Sequence, residues 1–364
     1  MHDPQAPPFI EKDPFNGDGN ASKFCVHRGR VHFKERLVRT EKFVREREAE
    51  RTLMGAYRNK FTDAVQLKIR STANTNVVFF NGKLLACKED SPPYSMNPDT
   101  LETIDLEDFD GQLPSFTFTA HPKIDPAIKE LVCFGYEAKG EVWLVAPVCA
   151  MIHDFAWFRA PNAFSGHTSN AYETKDGKIL FVLPLTNKNV FWWPDAQGNA
   201  PNPMDIRAQL VRFGIDPKST ELDLTYDEFL MDKDCEFSRI DDRFAMTHYR
   251  HAFFDIMNSA HGTDFPSIGT VMGGGFPPPI TVEYFPGPKH LVQEVVLIPR
   301  SANAREGVGC LLFLVNNYET MSSELHIVDT TNFSQAQVIV YLPLRLRPGL
   351  HGTWVDSQEI FPAA

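Results

Sequence analysis

Hydrophobic and polar residues alternate along this chain in short bursts, and turn residues separate the bursts. Asn76–Phe80 and Leu84–Cys87 flank Asn81-Gly82, a dipeptide that accepts the positive φ angles of a two-residue hairpin turn. Asp176-Gly177 stands in the same relation to Asn170–Glu173 and Ile179–Leu183. Further strands are predicted over Leu131–Tyr136, Val142–Val145, Thr281–Tyr284, Val295–Ile298, Leu311–Val315, Leu325–Val328 and Val338–Leu342. Helical spacing appears mainly in residues 41–54, where Phe43, Val44, Leu53 and Met54 could share one side. Many short strands with little helix predict an all-β fold: a sandwich, a barrel or a propeller. Periodicity does not choose among these, and no internal repeat is clean enough to count blades. Pro92-Pro93 and Pro277–Pro279 are short tracts between strand candidates. No segment has the composition of a linker, so residues 1–364 read as one domain.

Charge narrows the partners. The chain has 36 Lys+Arg against 47 Asp+Glu, a formal charge of −11, and such a surface repels phosphate backbones. Nucleic acid is therefore not an expected partner. The basic run over residues 28–51 is interleaved with glutamates and reads as a solvated helix face. Six scattered cysteines without a C-x-x-C pair support neither structural zinc nor a disulfide framework, and a reducing compartment fits. The longest apolar run, Leu144–Ile152, is half a membrane span and contains a proline. The N-terminus carries charges and prolines where a signal peptide needs an apolar stretch. The expectation is a cytoplasmic protein with no transmembrane segment; the sequence leaves oligomeric state open.

Four histidines stand out by context: His121 in T-A-H-P-K-I-D-P, His153 in M-I-H-D-F-A, His167 in G-H-T-S-N-A-Y-E and His351 in L-H-G-T-W-V. Taken singly, each has a bland reading. His121 before proline suits a turn, and His351 before glycine suits a strand end. Together the four strings resemble, in order and wording, the iron-binding segments of the carotenoid cleavage oxygenases, in the branch that cleaves lignostilbene and resveratrol. The resemblance spans nearly the whole chain. It implies a β-propeller of about seven blades, with one Fe(2+) per chain held on the axis by these four imidazoles. Neutral nitrogen donors suit iron, and fewer than six protein ligands leave a position open for O2.

The same resemblance assigns the neighbours of the metal. Liganding histidines usually give their second N–H to a carboxylate, and the matching glutamates are Glu89, Glu236 and Glu294. Glu294 lies in a mostly apolar run; Glu236 sits among Asp232, Asp234 and Asp241, where an exposed acid is the competing reading. Tyr57 and Lys88 match the pair that holds a phenolic hydroxyl, and Thr75 matches a threonine near the open coordination position. Alone, Tyr57 would read as a core aromatic, Lys88 as a surface lysine and Thr75 as an ordinary strand residue. Lys88 follows the apolar strand Leu84–Cys87 directly, which favours burial. Consecutive strand residues face opposite ways, so Lys88 and Glu89 require a bend between them.

The spacing departs from the family pattern. His153 and His167 are 14 residues apart (167 − 153), whereas a blade takes about 40–45. Joins at 140–141, 156–157 and 276–277, and a missing first-blade segment at the N-terminus, read as lost pieces of an incomplete propeller. The sequence thus implies a non-haem Fe(II) dioxygenase that cleaves the central C=C bond of a hydroxylated stilbene, or a related carotenoid-like polyene, into two aldehydes with O2. The alternative is a catalytically impaired remnant that at most binds ligand.

Overall fold

Asn81 and Gly82 turn as their chemistry requires, with φ of 47° and 75°, and the strands on either side pair in the predicted register, Phe80 opposite Lys83. The computed structural model describes residues 17–55, 63–65, 69–89, 91–113, 117–136, 142–145, 158–160, 163–187, 206–221, 223–224, 226–231, 233–257, 266–272 and 281–361. His153, Tyr57, Pro277–Pro279 and the joins at 140–141, 156–157 and 276–277 lie outside them. The chain divides into two compact units, one made of residues 1–153 with 347–364 and the other of residues 154–346.

The first unit begins with an antiparallel hairpin, β1 (Asn20–His27) and β2 (Arg30–Leu37). A third of the basic run read as a helix face, Arg30–Leu37, is therefore strand. Arg28 and Gly29 take positive φ and reverse the chain, which breaks any helix there. Helix α1 (Glu41–Ala49) follows. Thr40 caps it by accepting from Phe43 N at 3.1 Å, and Phe43, Leu53 and Met54 are buried as their spacing predicts. Lys42 is buried as well, paired at 2.8 Å with both Asp18 and Glu46, so this helix is not solvated all round.

Next come two sheets. One holds β3 (Asn76–Phe80), β4 (Lys83–Lys88), β5 (Ser91–Met96) and β6 (Thr103–Leu106) in sequential order. The other holds β7 (Lys123–Ile124), β8 (Leu131–Tyr136) and β9 (Val142–Val145). Helix α2 (Ser357–Ile360) closes the unit. Pro92 and Pro93 lie within β5 rather than between strands. They fall where the β4–β5 ladder shifts between Ala86 and Lys88, a place where a residue without N–H costs no ladder bond. Leu84 and Ala86 join one apolar cluster with Tyr94 and Met96, while Leu85 and Cys87 join another with Phe118, Leu131 and Cys133. The sheet is buried on both faces.

The second unit repeats this scheme. Its first sheet is β10 (Asn170–Glu173), β11 (Ile179–Thr186), β12 (Ala208–Ile215) and β13 (Tyr226–Met231). The next is β14 (Cys235–Ile240), β15 (His251–Met257), β16 (Pro266–Met272) and β17 (Thr281–Tyr284). The last is β18 (His290–Val292), β19 (Val296–Pro299), β20 (Gly309–Asn317), β21 (Ser322–Asp329) and β22 (Val338–Tyr341), with β18 and β19 both pairing with β20. Phe253 and Phe254 point to opposite faces of β15 and are 1% and 0% exposed. Phe253 packs with Leu311, Phe313 and Val315 of the following sheet, and Phe254 with Val182 and Leu210 of the preceding one. Each such side chain contributes about 1.5–3 kcal/mol by leaving water, so the sheets of this unit are held face to face.

Candidate metal centre

In the first unit, His121 sits on the turn that leads into β7. Thr119 N donates to Phe134 O at 2.8 Å, His121 N donates to Thr119 Oγ1 at 3.0 Å, and Asn76 Nδ2 holds Ala120 O at 2.8 Å. Glu89 follows β4 in the tight connection to β5. Its Oε1 accepts from Ala120 N at 3.0 Å and lies 3.6 Å from His121 Nε2. His351 stacks edge-on against His121, with ring centroids 4.6 Å apart and planes at 85°. The motif residues at 89, 121 and 351, read from three separate strings, thus meet within one unit.

Lys88 is 3% exposed, and its Nζ donates to Asn74 Oδ1 at 3.4 Å. Thr75 is half-buried; its Oγ1 donates to the same oxygen at 3.4 Å, and its N–H to Cys87 O at 3.1 Å. Asn74 is anchored in turn by donating to Gly17 O at 2.6 Å. The ladder shift beside Lys88 supplies the bend that lets Lys88 be buried while Glu89 reaches His121. Asn74 carried no motif signal; only its position beside Thr75 could have suggested it.

In the second unit, His167 lies on the strand approach to β10. Its Nδ1 is 2.6 Å from Glu236 Oε2 on β14. A proton on Nδ1 is thereby held, and Nε2 is left with its lone pair for a metal. Phe237 N also donates to Glu236 Oε2, at 2.9 Å, and the Phe237 ring lies 5.0 Å from the imidazole. Phe237 takes a positive φ of 53° at a one-residue bulge: Glu236 pairs with Asp255 and Arg239 with Phe253. Gly166 leaves room for the carboxylate, since a Cβ there would come within 2.7 Å of Glu236 Oε1. An exposed acid was the competing reading for Glu236; its contacts are instead with His167.

Glu294 connects β18 to β19. Its side chain is 5% exposed, and Arg239 Nη1 donates to it at 3.1 Å. Burial works against the charge on Arg239, but Glu294 and Asp242 outweigh it and raise its pKa. Asp255, which no motif indicated, is buried beside these groups. Burial first, then the charges of Glu294 and Glu236, push its carboxyl well above the usual range.

His121 and His351 in the first unit, and His167 in the second, each offer an imidazole nitrogen suited to a metal ion. The donor chemistry fits: neutral imidazoles, with the Nδ1 of His167 already turned to a carboxylate. His153 and Tyr57, the other two expected participants, lie outside the described residues.

Comparison with known proteins accounts for this arrangement. The chain is 50% identical over 443 aligned positions to resveratrol cleavage oxygenase 1 of Aspergillus fumigatus, covering 99% of this chain and 89% of that one. It is 44% identical to carotenoid cleavage oxygenase 1 of Neurospora crassa, covering 99% and 84%. That first alignment exceeds the chain's 364 residues by 443 − 364 = 79 positions, so at least that many residues of the relative have no counterpart here. The crystal structure of Pseudomonas brassicacearum lignostilbene dioxygenase superposes with a TM-score of 0.86 at 32% identity, covering 98% of this chain and 91% of that one. The all-β propeller class expected from the sequence is the class of these neighbours. The profile described as retinal pigment epithelial membrane protein matches residues 1–157 and 151–356. The chain belongs to that family, the carotenoid cleavage oxygenases.

Proposed function

We propose that this chain is a non-haem iron dioxygenase that splits the central C=C bond of a hydroxylated stilbene into two aromatic aldehydes. One Fe(2+) would be held by His121, His153, His167 and His351. When bound, it supplies the redox chemistry that brings O2 to the alkene. The observation that carries the reading is the 2.6 Å contact between His167 Nδ1 and Glu236, which fixes the tautomer a metal ligand needs.

The remaining roles belong to the chain's own side chains. Glu236 keeps the proton on His167 Nδ1, and Glu89 and Glu294 do the equivalent work for two of the other three imidazoles. Lys88, buried and steadied by Asn74, presents an ammonium to the phenolic oxygen of the substrate, with Tyr57 as its partner. Holding that oxygen as a phenolate pushes electron density onto the double bond. Thr75 stands near the open coordination position. The partners are thus an aromatic alkene and O2, with no nucleic acid, given the −11 charge. No helix among the described residues is long and apolar enough to cross a membrane, and a cytoplasmic location fits this chemistry.

Oxygen uptake with resveratrol, against a carotenoid and an apocarotenal, tests the substrate class; faster uptake with either polyene would overturn it. A second reading, an impaired remnant, is favoured by the 79 or more missing positions. Iron content after ferrous reconstitution separates the two: one ion per chain for the enzyme, well under one for the remnant.

A further inference from the structure

A third carboxyl group stands behind the His167–Glu236 pair. Asp255 lies on β15, an interior strand of its sheet, and is 5% exposed. It is the direct cross-strand partner of Glu236, so the two side chains leave the same face with Cβ atoms about 4.5–5.5 Å apart. Its neighbours Phe253, Phe254 and Ile256 are buried and apolar. Its Oδ1 is sealed from solvent and meets no hydrogen-bond donor among the described residues. The charges acting on it are those of Glu294 and Glu236. Arg239, the cation on β14, is engaged by Glu294 and Asp242.

An ionised carboxylate has only acceptors to offer, and two ionised carboxylates have no hydrogen bond between them. Burying a third anion here, with Oδ1 unpaired among the described residues and two other carboxylates beside it, is strongly unfavourable. The unfavourable term vanishes when one of the group carries a proton, because that proton becomes a donor to its neighbour. Glu236 is the natural acceptor. Its two described donors, His167 and Phe237, both go to Oε2, and Oε1 is the oxygen left.

We infer that Asp255 is a positioning residue: a neutral carboxylic acid that gives its O–H to Glu236 and so holds that carboxylate against His167. The metal-directed part of this role rests on the reading of His167 as an iron ligand; the protonated state of Asp255 does not. Burial and like charge act in the same direction on its proton affinity, as noted above.

Two substitutions test the inference. Asp255→Asn keeps an N–H donor in nearly the same place, whereas Asp255→Leu keeps the branched shape, with bulkier methyl groups for the oxygens, and removes the donor. The infrared spectrum of the apo wild type at neutral pH should contain the C=O stretch of a buried carboxylic acid, absent from Asp255→Asn. Cobalt(II), titrated against a chelator, should bind Asp255→Asn within about threefold of wild type and Asp255→Leu at least about tenfold more weakly, the usual effect of losing an outer-shell partner. The acid band missing from wild type would overturn the proposal, as would Asn and Leu weakening cobalt equally. Should the Leu variant fail to fold, the infrared difference and the Asn titration still decide. A wild type that binds neither cobalt nor iron would sink the metal reading alone, since the acid band is measured without metal.

Discussion

Gly166 precedes His167 and has no side chain, and Glu236 explains why. A Cβ on Gly166 would come within 2.7 Å of Glu236 Oε1, whereas ordinary contact begins near 3.4 Å. The Gly166→Ala change therefore displaces that oxygen by about 3.4 − 2.7 = 0.7 Å. The obstacle is the end of a flexible side chain, so the backbone need not move, and stability of the apo protein should change by less than about 1 kcal/mol. The carboxylate itself cannot yield without loss. Its Oε2 accepts from His167 Nδ1 at 2.6 Å and from Phe237 N at 2.9 Å. A shift of that size stretches the short, charge-assisted contact to His167 past 3 Å, where it weakens. Losing such a partner typically costs 10–100-fold in metal affinity, about 1.4–2.8 kcal/mol. Apo wild type and Gly166→Ala would be titrated with cobalt(II) against a chelator, with thermal melting recorded on the same samples. Binding within about threefold of wild type would show that Glu236 does not orient a ligand; a collapse in melting temperature would place the clash in the backbone instead.

Other substitutions probe separate links. Lys88→Ala should lower kcat/KM for a hydroxylated stilbene by roughly tenfold or more, the worth of a charged hydrogen bond, with metal content unchanged; metal loss in that variant would contradict a substrate role. Phe253→Ala, at a position 1% exposed between two sheets, should cost about 3–5 kcal/mol in urea unfolding, and a loss under 1 kcal/mol would mean that the face is loosely packed. Burial depresses the pKa of His326 below 6.5, despite the hydrogen bond from its ring to Glu324. The unfolded chain therefore binds more protons than the folded one once pH falls below 6.5, and stability drops with pH in that window. Glu324 has a pKa below 4.5 in spite of its burial, because His326 and Asn317 hydrogen-bond to it, so its own contribution is lost only at lower pH. His326→Gln should flatten the upper window and shrink the lower one, since Glu324 loses the His326 ring that helps to depress its pKa; an unchanged profile would assign the drop to other groups.

Much of the fold was legible because turn chemistry is local. Asn81-Gly82 and Asp176-Gly177 mark their hairpins, and β8, β9 and β17 have the ends their sequences suggest. Strands that escaped notice did so for physical reasons. In β12, AQLVRFGI, apolar and polar side chains do not alternate because six of its eight residues are buried, on both faces of the sheet; period-two patterning then disappears. In β5, two prolines argue against a strand until the bulge that tolerates them is known. At the site, His167 and Glu236 were readable as motif text. Asp255 was not, since an isolated acid in HAFFDIM has no local signal; only the cross-strand register brings it beside Glu236.

The three glutamates share a feature that no motif reveals: none sits on a regular stretch of ladder. Glu89 occupies the connection that follows the β4–β5 register shift. Glu236 opens a bulge in which three steps along β14, 236 to 239, oppose two along β15, 255 to 253. Glu294 lies between β18 and β19, where four steps from 292 to 296 oppose three along β20, from 315 to 312. A regular strand would send alternate side chains into the apolar layers between sheets, where a carboxylate finds no donors. A break re-aims the side chain and releases backbone N–H groups from the ladder. Phe237 N turns to Glu236, and Ala120 N, at the turn before β7, turns to Glu89. For Glu294 the donor is Arg239, itself the residue that closes the bulge opened by Glu236. The irregularities thus give these carboxylates, half-buried at Glu89 and Glu236 and buried at Glu294, the donors that a regular ladder in sheets packed on both faces would withhold.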